Sequence, residues 1–210
     1  MKDSIAALLF TFLIHSVSSA QYIKADFGVH SSAYANKIGL PIVDRKITGY
    51  SASIGLDHHK RKWFYLSSQI GLFQVGGIDR IHPTPGRGYD ENGEFREKKN
   101  NIHLNTTFRA FIEEKKGLAF FLGAGPYLNI PTGSGRFENP FYRDFYSIKS
   151  YAGGKAETGF TADINRIRLG MTGAYLFSVT PSAESEALKL RNNNWVVSLF
   201  LGYRISTRQE

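Results

Sequence analysis

Cysteine is absent from all 210 residues. That excludes disulfides, thiolate metal sites and a lipid anchor on an N-terminal cysteine. Long apolar runs are almost absent as well. The one exception, IAALLFTFLI at residues 5–14, is about half the ~20 residues a membrane-spanning helix needs. With 21% charged residues and a mean hydropathy slightly below zero, no helical membrane protein is expected. Blocks of one charge sign are also missing. The net charge is +8, yet no basic run exceeds Lys60-Arg61-Lys62, and residues 77–100 mix both signs evenly. Solvated loops explain this better than a nucleic-acid footprint, and scattered cations suit anionic lipid headgroups or lipopolysaccharide. The six histidines show no HxH or HxxxH spacing, so neither a metal nor another cofactor is expected. There is no GxSxG elbow. The GAGP at 123–126 lacks the Lys-Ser/Thr and the helix of a phosphate loop, and its glycines read as curvature devices inside a strand.

Aromatics make up 14% of the chain and glycine supplies 21 residues, a balance that favours β structure with many tight bends. The N-terminus reads as an address. Lys2 precedes the apolar run, and SVSSA follows it with Ser18 and Ala20 at the −3 and −1 positions of a cleavage site. A cleaved signal peptide over 1–20 and Sec-dependent export are expected, leaving 21–210 as one domain. Beyond it, alternation of apolar and polar residues predicts strands near 22–30, 47–57, 63–76, 101–112, 117–130, 151–163, 167–178 and 194–206. Their connections alternate without exception between long (31–46, 77–100, 131–150, 179–193) and short (58–62, 113–116, 164–166). An up-and-down barrel places odd and even connections at opposite ends. Long loops at one end and tight turns at the other is the pattern of bacterial outer-membrane barrels.

The two faces of each strand decide between a soluble and a membrane barrel. In NIHLNTTFRAFI, residues 101–112, one row is Ile102, Leu104, Thr106, Phe108, Ala110 and Ile112, and the other carries His103 and Arg109. The apolar rows of all eight segments contain no charged residue. The opposite rows hold Lys24, Asp26, Gln69, His103, Arg109, Lys155, Glu157, Asp163, Arg168 and Arg204 among many glycines. A water-facing row should be more heavily charged and poorer in glycine. A narrow eight-stranded lumen needs a few large polar side chains, small residues to make room for them, and both charge signs for pairing. The expectation is an all-β, eight-stranded antiparallel up-and-down transmembrane β-barrel, with the charged set as a lumen network. Glu157, Asp163 and Asp26 are the candidate partners of Arg109. Aromatic girdles are expected from Trp63, Phe64, Tyr65 and Tyr203 at one interface and from Phe73, Tyr127, Tyr151, Phe177 and Trp195 at the other.

On these features, and on the segments LAFFLGAGPYLNI (118–130) and WVVSLFLGYRIS (195–206), the whole mature chain resembles the small outer-membrane β-barrel families. More closely, it resembles the PorT-like outer-membrane β-barrel domain proteins of Bacteroidota. The resemblance implies a Gram-negative outer-membrane location, and PorT itself is associated with protein secretion and outer-membrane assembly. One departure is that such barrels often end on an aromatic read by the assembly machinery, whereas this chain continues past Tyr203 to ISTRQE. The expected function is non-enzymatic and carried by the long loops, in envelope integrity, assembly or surface interaction. The expected partners are outer-membrane lipid or lipopolysaccharide, the assembly machinery and a surface ligand, with the barrel itself a monomer. The alternatives are a lipid-modifying enzyme using His103 as base, or a narrow channel for small or apolar solutes. Loop 136–147 offers a candidate binding patch in Arg136, Phe137, Phe141, Tyr142, Arg143, Phe145 and Tyr146, whose aromatics could equally pack over the barrel mouth.

Overall fold

The computed structural model describes residues 20–37, 39, 42–80, 94–114, 117–139, 142–186 and 188–205. Residues 1–19 of the expected signal peptide, Phe141 and the centre of the second long loop lie outside the described residues. Ten strands are present among them: β1 (Ala20–Ala35), β2 (Ile47–His58), β3 (Phe64–Arg80), β4 (Glu94–Glu113), β5 (Leu118–Pro131), β6 (Ser147–Ile148), β7 (Tyr151–Ile164), β8 (Ile167–Ser178), β9 (Ala183–Glu184) and β10 (Lys189–Arg204). The eight long ones pair antiparallel with their chain neighbours in the order β1-β2-β3-β4-β5-β7-β8-β10. Tyr22 opposite Arg204 through Ala35 opposite Arg191 then joins β1 to β10 and closes the ring. Closure leaves the eight-stranded ring without a free edge strand.

All eight strands expected from the alternation are present. β1, β3, β4 and β10 run past the expected bounds at the long-loop end. The ladder between Gly77–Arg80 and Glu94–Glu97 therefore rises out of segments whose composition reads as loop. The short turns at the opposite end are built on left-handed residues: His59 (φ 50°) between β2 and β3, Gly117 (φ 77°) between β4 and β5, and Asn165 (φ 57°) between β7 and β8. Asn and Gly tolerate that conformation best, which is why these connections can be so tight.

The barrel is inside out. Its outer wall carries Ile23, Phe27, Ile54, Ile70, Leu122, Leu199 and the rest of the apolar rows, with Leu122 69% exposed. Within the barrel, the buried side chains are largely polar or charged, and Arg109 is 1% exposed. This is the phase expected from the alternation. The girdles need correction. Tyr65, Phe73, Tyr127 and Tyr151 are all buried in the interior, because they stand on the inward parity of their strands. Trp63 and Tyr203 at one end, and Phe177 and Trp195 at the other, do stand on the outer wall.

At the long-loop end the ordinary order of a protein core returns. Tyr34, Val43, Phe137, Tyr146, Ile148, Ala183, Leu188 and Leu190 form an apolar cluster, with Ile42 and Tyr142 packed against it. The strand pairs β6–β9 and β9–β10 tie it to the barrel wall. This cap joins the first, third and fourth long loops.

Candidate functional site: the filled lumen and the cap

The lumen network follows from the register. One rung of the wall runs Tyr65, Arg109, Gly123 and Glu157 across β3, β4, β5 and β7. Arg109 and Glu157 stand two strands apart, and Gly123 lies between them without a side chain. The guanidinium reaches across, with Nε donating to Glu157 Oε1 at 2.5 Å. A Cβ on Gly123 would sit 3.0 Å from the Glu157 side chain. Lys155 Nζ approaches the second Glu157 oxygen at 2.7 Å. The Arg109 guanidinium also lies over the Phe121 ring, 4.4 Å from its centroid.

A second rung repeats the device. Asp163 faces Arg168 directly, and Gly202 separates Arg168 from Lys24. Arg168 forks onto Asp163 through Nε (2.6 Å) and Nη2 (2.8 Å) and reaches Asp57 through Nη1 (3.4 Å). Lys24 lies 3.3 Å from Asp57 and 4.0 Å from Asp26. Arg204 and the Tyr22 hydroxyl complete the group on Asp163. Large cations alternate with glycines around the ring, so the charges pair without overfilling a narrow lumen. Buried ions are tolerated only when paired in this way.

Of the expected network, Arg109, Glu157 and Lys155 form one group, and Lys24, Asp26, Asp163, Arg168 and Arg204 another. Asp163 and Asp26 partner other cations, leaving Glu157 to Arg109. His103 stands apart from both groups. It is 7% exposed, its Nδ1 pairs with Asn129 Oδ1 at 2.7 Å, and its ring stacks on Phe73 at 5.1 Å. Asn129 is its direct cross-strand neighbour, so His103 is held as part of the interior and faces away from the outer wall. Sequence reasoning missed Asp57, which bridges Lys24 and Arg168. Its inward parity on β2 was the available signal, hidden by its place at the strand end. Two lumen cavities among the described residues are small, about 50 Å³ beside Asp26, His103 and Thr172 and about 10 Å³ beside Tyr65 and Arg168.

The cap divides the candidate loop patch. Phe137 is 1% exposed and Tyr146 8%, and with Tyr142 they form mutual edge-to-face ring contacts inside the cluster. They are core, and an exposed patch built on them is corrected accordingly. Arg136, Arg143 and Phe145 remain at the surface, Phe145 71% exposed. A polar seam joins cap to barrel. The backbone N–H groups of Glu138 and Asn139 donate to the Glu97 carboxylate at 3.0–3.2 Å, and Lys99 lies 3.3 Å from it. Burial pushes the Glu97 carboxyl above its ordinary range despite these partners.

No protein-family model matches the chain, and neither does any curated protein. Solved structures do. Neisserial surface protein A (NspA) superposes with a TM-score of 0.57 at 11% identity, over 88% of this chain and 96% of its own. The fold is that of the small outer-membrane barrels. The outer membrane protein OprG from Pseudomonas aeruginosa gives 0.53 at 9% identity, over 90% and 98%. The outer membrane protein AlkL gives 0.51 at 10%, over 91% and 94%. At such identities the likeness is one of fold. The small outer-membrane barrel fold explains the inverted faces, since its strands cross lipid with apolar residues outward.

Proposed function

We propose that this chain is a monomeric, non-enzymatic integral protein of the Gram-negative outer membrane. It acts through its cap in envelope integrity, assembly or surface interaction. Export by the Sec route and cleavage after Ala20 would deliver it, with both termini and the tight turns in the periplasm and the cap outside the cell. The observation that carries this reading is the filled interior. Two charge-paired rungs and a stacked layer of His30, Phe73 and His103 occupy the lumen. The lumen cavities beside these groups, about 50 Å³ and about 10 Å³, are small and lined by the paired side chains. A folded apolar cluster covers the mouth. Bulk solute passage has no route, so the elaborated part of the molecule is its outer end. The strand segments at 118–130 and 195–206, which resemble PorT-like barrels, support a part in building the envelope.

Two measurements test it. Purified protein in detergent should migrate as a compact band that shifts on boiling, and reconstituted vesicles should show neither ion conductance nor solute uptake. A stable unit conductance abolished by blocking the lumen would overturn the filled-interior reading. A deletion strain should change in detergent tolerance or surface composition while nutrient uptake is unaffected. Loss of one specific uptake activity would transfer the assignment to a channel.

A further inference from the structure

We propose that the outer wall at β10, β1 and β2 is a docking site for an outer-leaflet lipid whose headgroup carries more than one phosphate. The chemistry changes with height along these three strands in the order an anionic lipid presents. Lowest are Val197 on β10, Val29 on β1 and Tyr50 on β2, which face one another across the register and are half or more exposed. Next come Trp195, Ser31 and Thr48 on the following outward rung. Trp195 is braced by Tyr175 of β8, with ring centroids 4.6 Å apart. Asn193 and Ala33 face each other above them, and highest is Arg191 opposite Ala35, with Lys46 just before the first residue of β2.

Both cations are exposed, and neither has a carboxylate or hydrogen-bond partner among the described residues. Arg191 stands on β10 and Lys46 just before β2, and between them β1 presents only Ala33 and Ala35. The trough is therefore floored by small side chains, walled by Trp195 on one side and Tyr50 on the other, and topped by two separate positive charges. The nearest acid in sequence, Asp44, is two residues before Lys46. Of the acids on the rising ladder, Glu97 and Asp79 turn inward at 0% and 1% exposure, and Glu94 is taken by Arg45 and Arg96. On the opposite wall the outer rows of β5, β7 and β8 reach Ile130, Ala152 and Val179 with no cation at that height. Exposed cations continue along the rim at Arg96 and Lys98 of β4, and what sets Lys46 and Arg191 apart is the small-residue trough they flank between Trp195 and Tyr50. Hydroxyl and amide groups lie at the height of a sugar or glycerol headgroup, and the apolar wall continues below for acyl chains. Charge near a membrane surface acts on phosphate, and the aromatic wall sits at the interface where such rings are stable.

This inference rests on the outer-membrane reading, and its test separates the two. The protein with Trp63→Phe, leaving Trp195 as the sole tryptophan, is placed in phosphatidylcholine nanodiscs and titrated with bis-phosphorylated lipid A while Trp195 emission is followed. Saturable binding is expected. Lys46→Gln together with Arg191→Gln should weaken it about tenfold. Dephosphorylated lipid A should bind the unaltered site about tenfold more weakly as well. Lys62→Gln, at the turn end, should leave binding unchanged. Unaltered affinity in the double variant overturns the proposal, and so does equal affinity for the two lipids. Displacement by millimolar inorganic phosphate would show a free-anion site instead and also overturns it. Heat-modifiable migration of each variant reports the barrel separately, so loss of lipid binding in an intact barrel is read apart from failure of the barrel to span a bilayer.

Discussion

The barrel wall and the cap are one chain folded under two opposite rules. Along β4, Ile102 to Ile112 point apolar groups outward and bury Arg109 and His103, whereas Arg96 and Lys98, a few residues earlier, point outward above a buried Glu97. The same strand changes sign at Asn100. Within the barrel the interior is held by pairs such as Arg109–Glu157. In the cap it is held by packing among Phe137, Tyr146, Leu190 and Val43. Burial is therefore defined by the surrounding solvent. Where lipid surrounds the wall, apolar side chains gain little by turning inward and the closed lumen takes the polar groups; where water surrounds the cap, apolar groups turn inward.

The sharpest way to break this contrast is Arg109→Ala. It leaves Glu157 buried with Lys155 alone, and breaking such a pair costs about 3–5 kcal/mol. Urea titration in lipid vesicles should show that loss across the whole barrel. Adding Glu157→Leu to the variant should recover part of it, and a double variant weaker than the sum of the singles would contradict the pairing. Next is Leu190→Ala at a fully buried cap position, where deletion of a core leucine costs about 2–5 kcal/mol. Hydrogen exchange should show faster opening of the cap with the wall below unchanged. Third, Leu122→Arg and Phe145→Arg place the same charge at sites of nearly equal exposure, 69% and 71%. The first should cost about 2–4 kcal/mol on the wall, and the second should stay within about 0.5 kcal/mol on the cap. Equal effects would erase the distinction between lipid and water. The smallest effect concerns pH. Glu97 lies above the apolar band, and burial raises its carboxyl above the ordinary value. The folded cap thus holds its proton more tightly than the unfolded chain does. Its contribution is present in full below the unfolded value and declines as pH rises through the folded one. Carbon-detected titration of Glu97 should give a midpoint above that of an exposed glutamate, and a midpoint below it would show that the Glu138 and Asn139 amides outweigh burial.

How much was legible follows from the same contrast. The strands and their faces were readable because side chains alternate with period two, so a lipid-facing row of Ile, Leu and Phe leaves a strong pattern. Arg109 was assignable to the lumen for that reason alone. The upward extensions of β3 and β4 were not, since Gly77, Glu97 and Lys98 look like loop once neither face is uniformly apolar. Asp57 was hidden by its position at a strand end. The aromatics of 136–147 were visible as a cluster, but whether they faced outward or packed inward depended on Tyr34, Val43 and Leu190, which come from other loops.

The linear order of residues by itself determined the eight long strands, the ring of long and short connections, and which row of each strand meets the surroundings. These are properties of local periodicity and of chain connectivity. Only the tertiary structure decided that Arg109 takes Glu157 rather than Asp163 or Asp26, because that choice depends on how the strands slide past one another and on Gly123 leaving the path between them open. Only it decided that Phe137 and Tyr146 are core, because a core assembled from three loops has no period that a single segment can display.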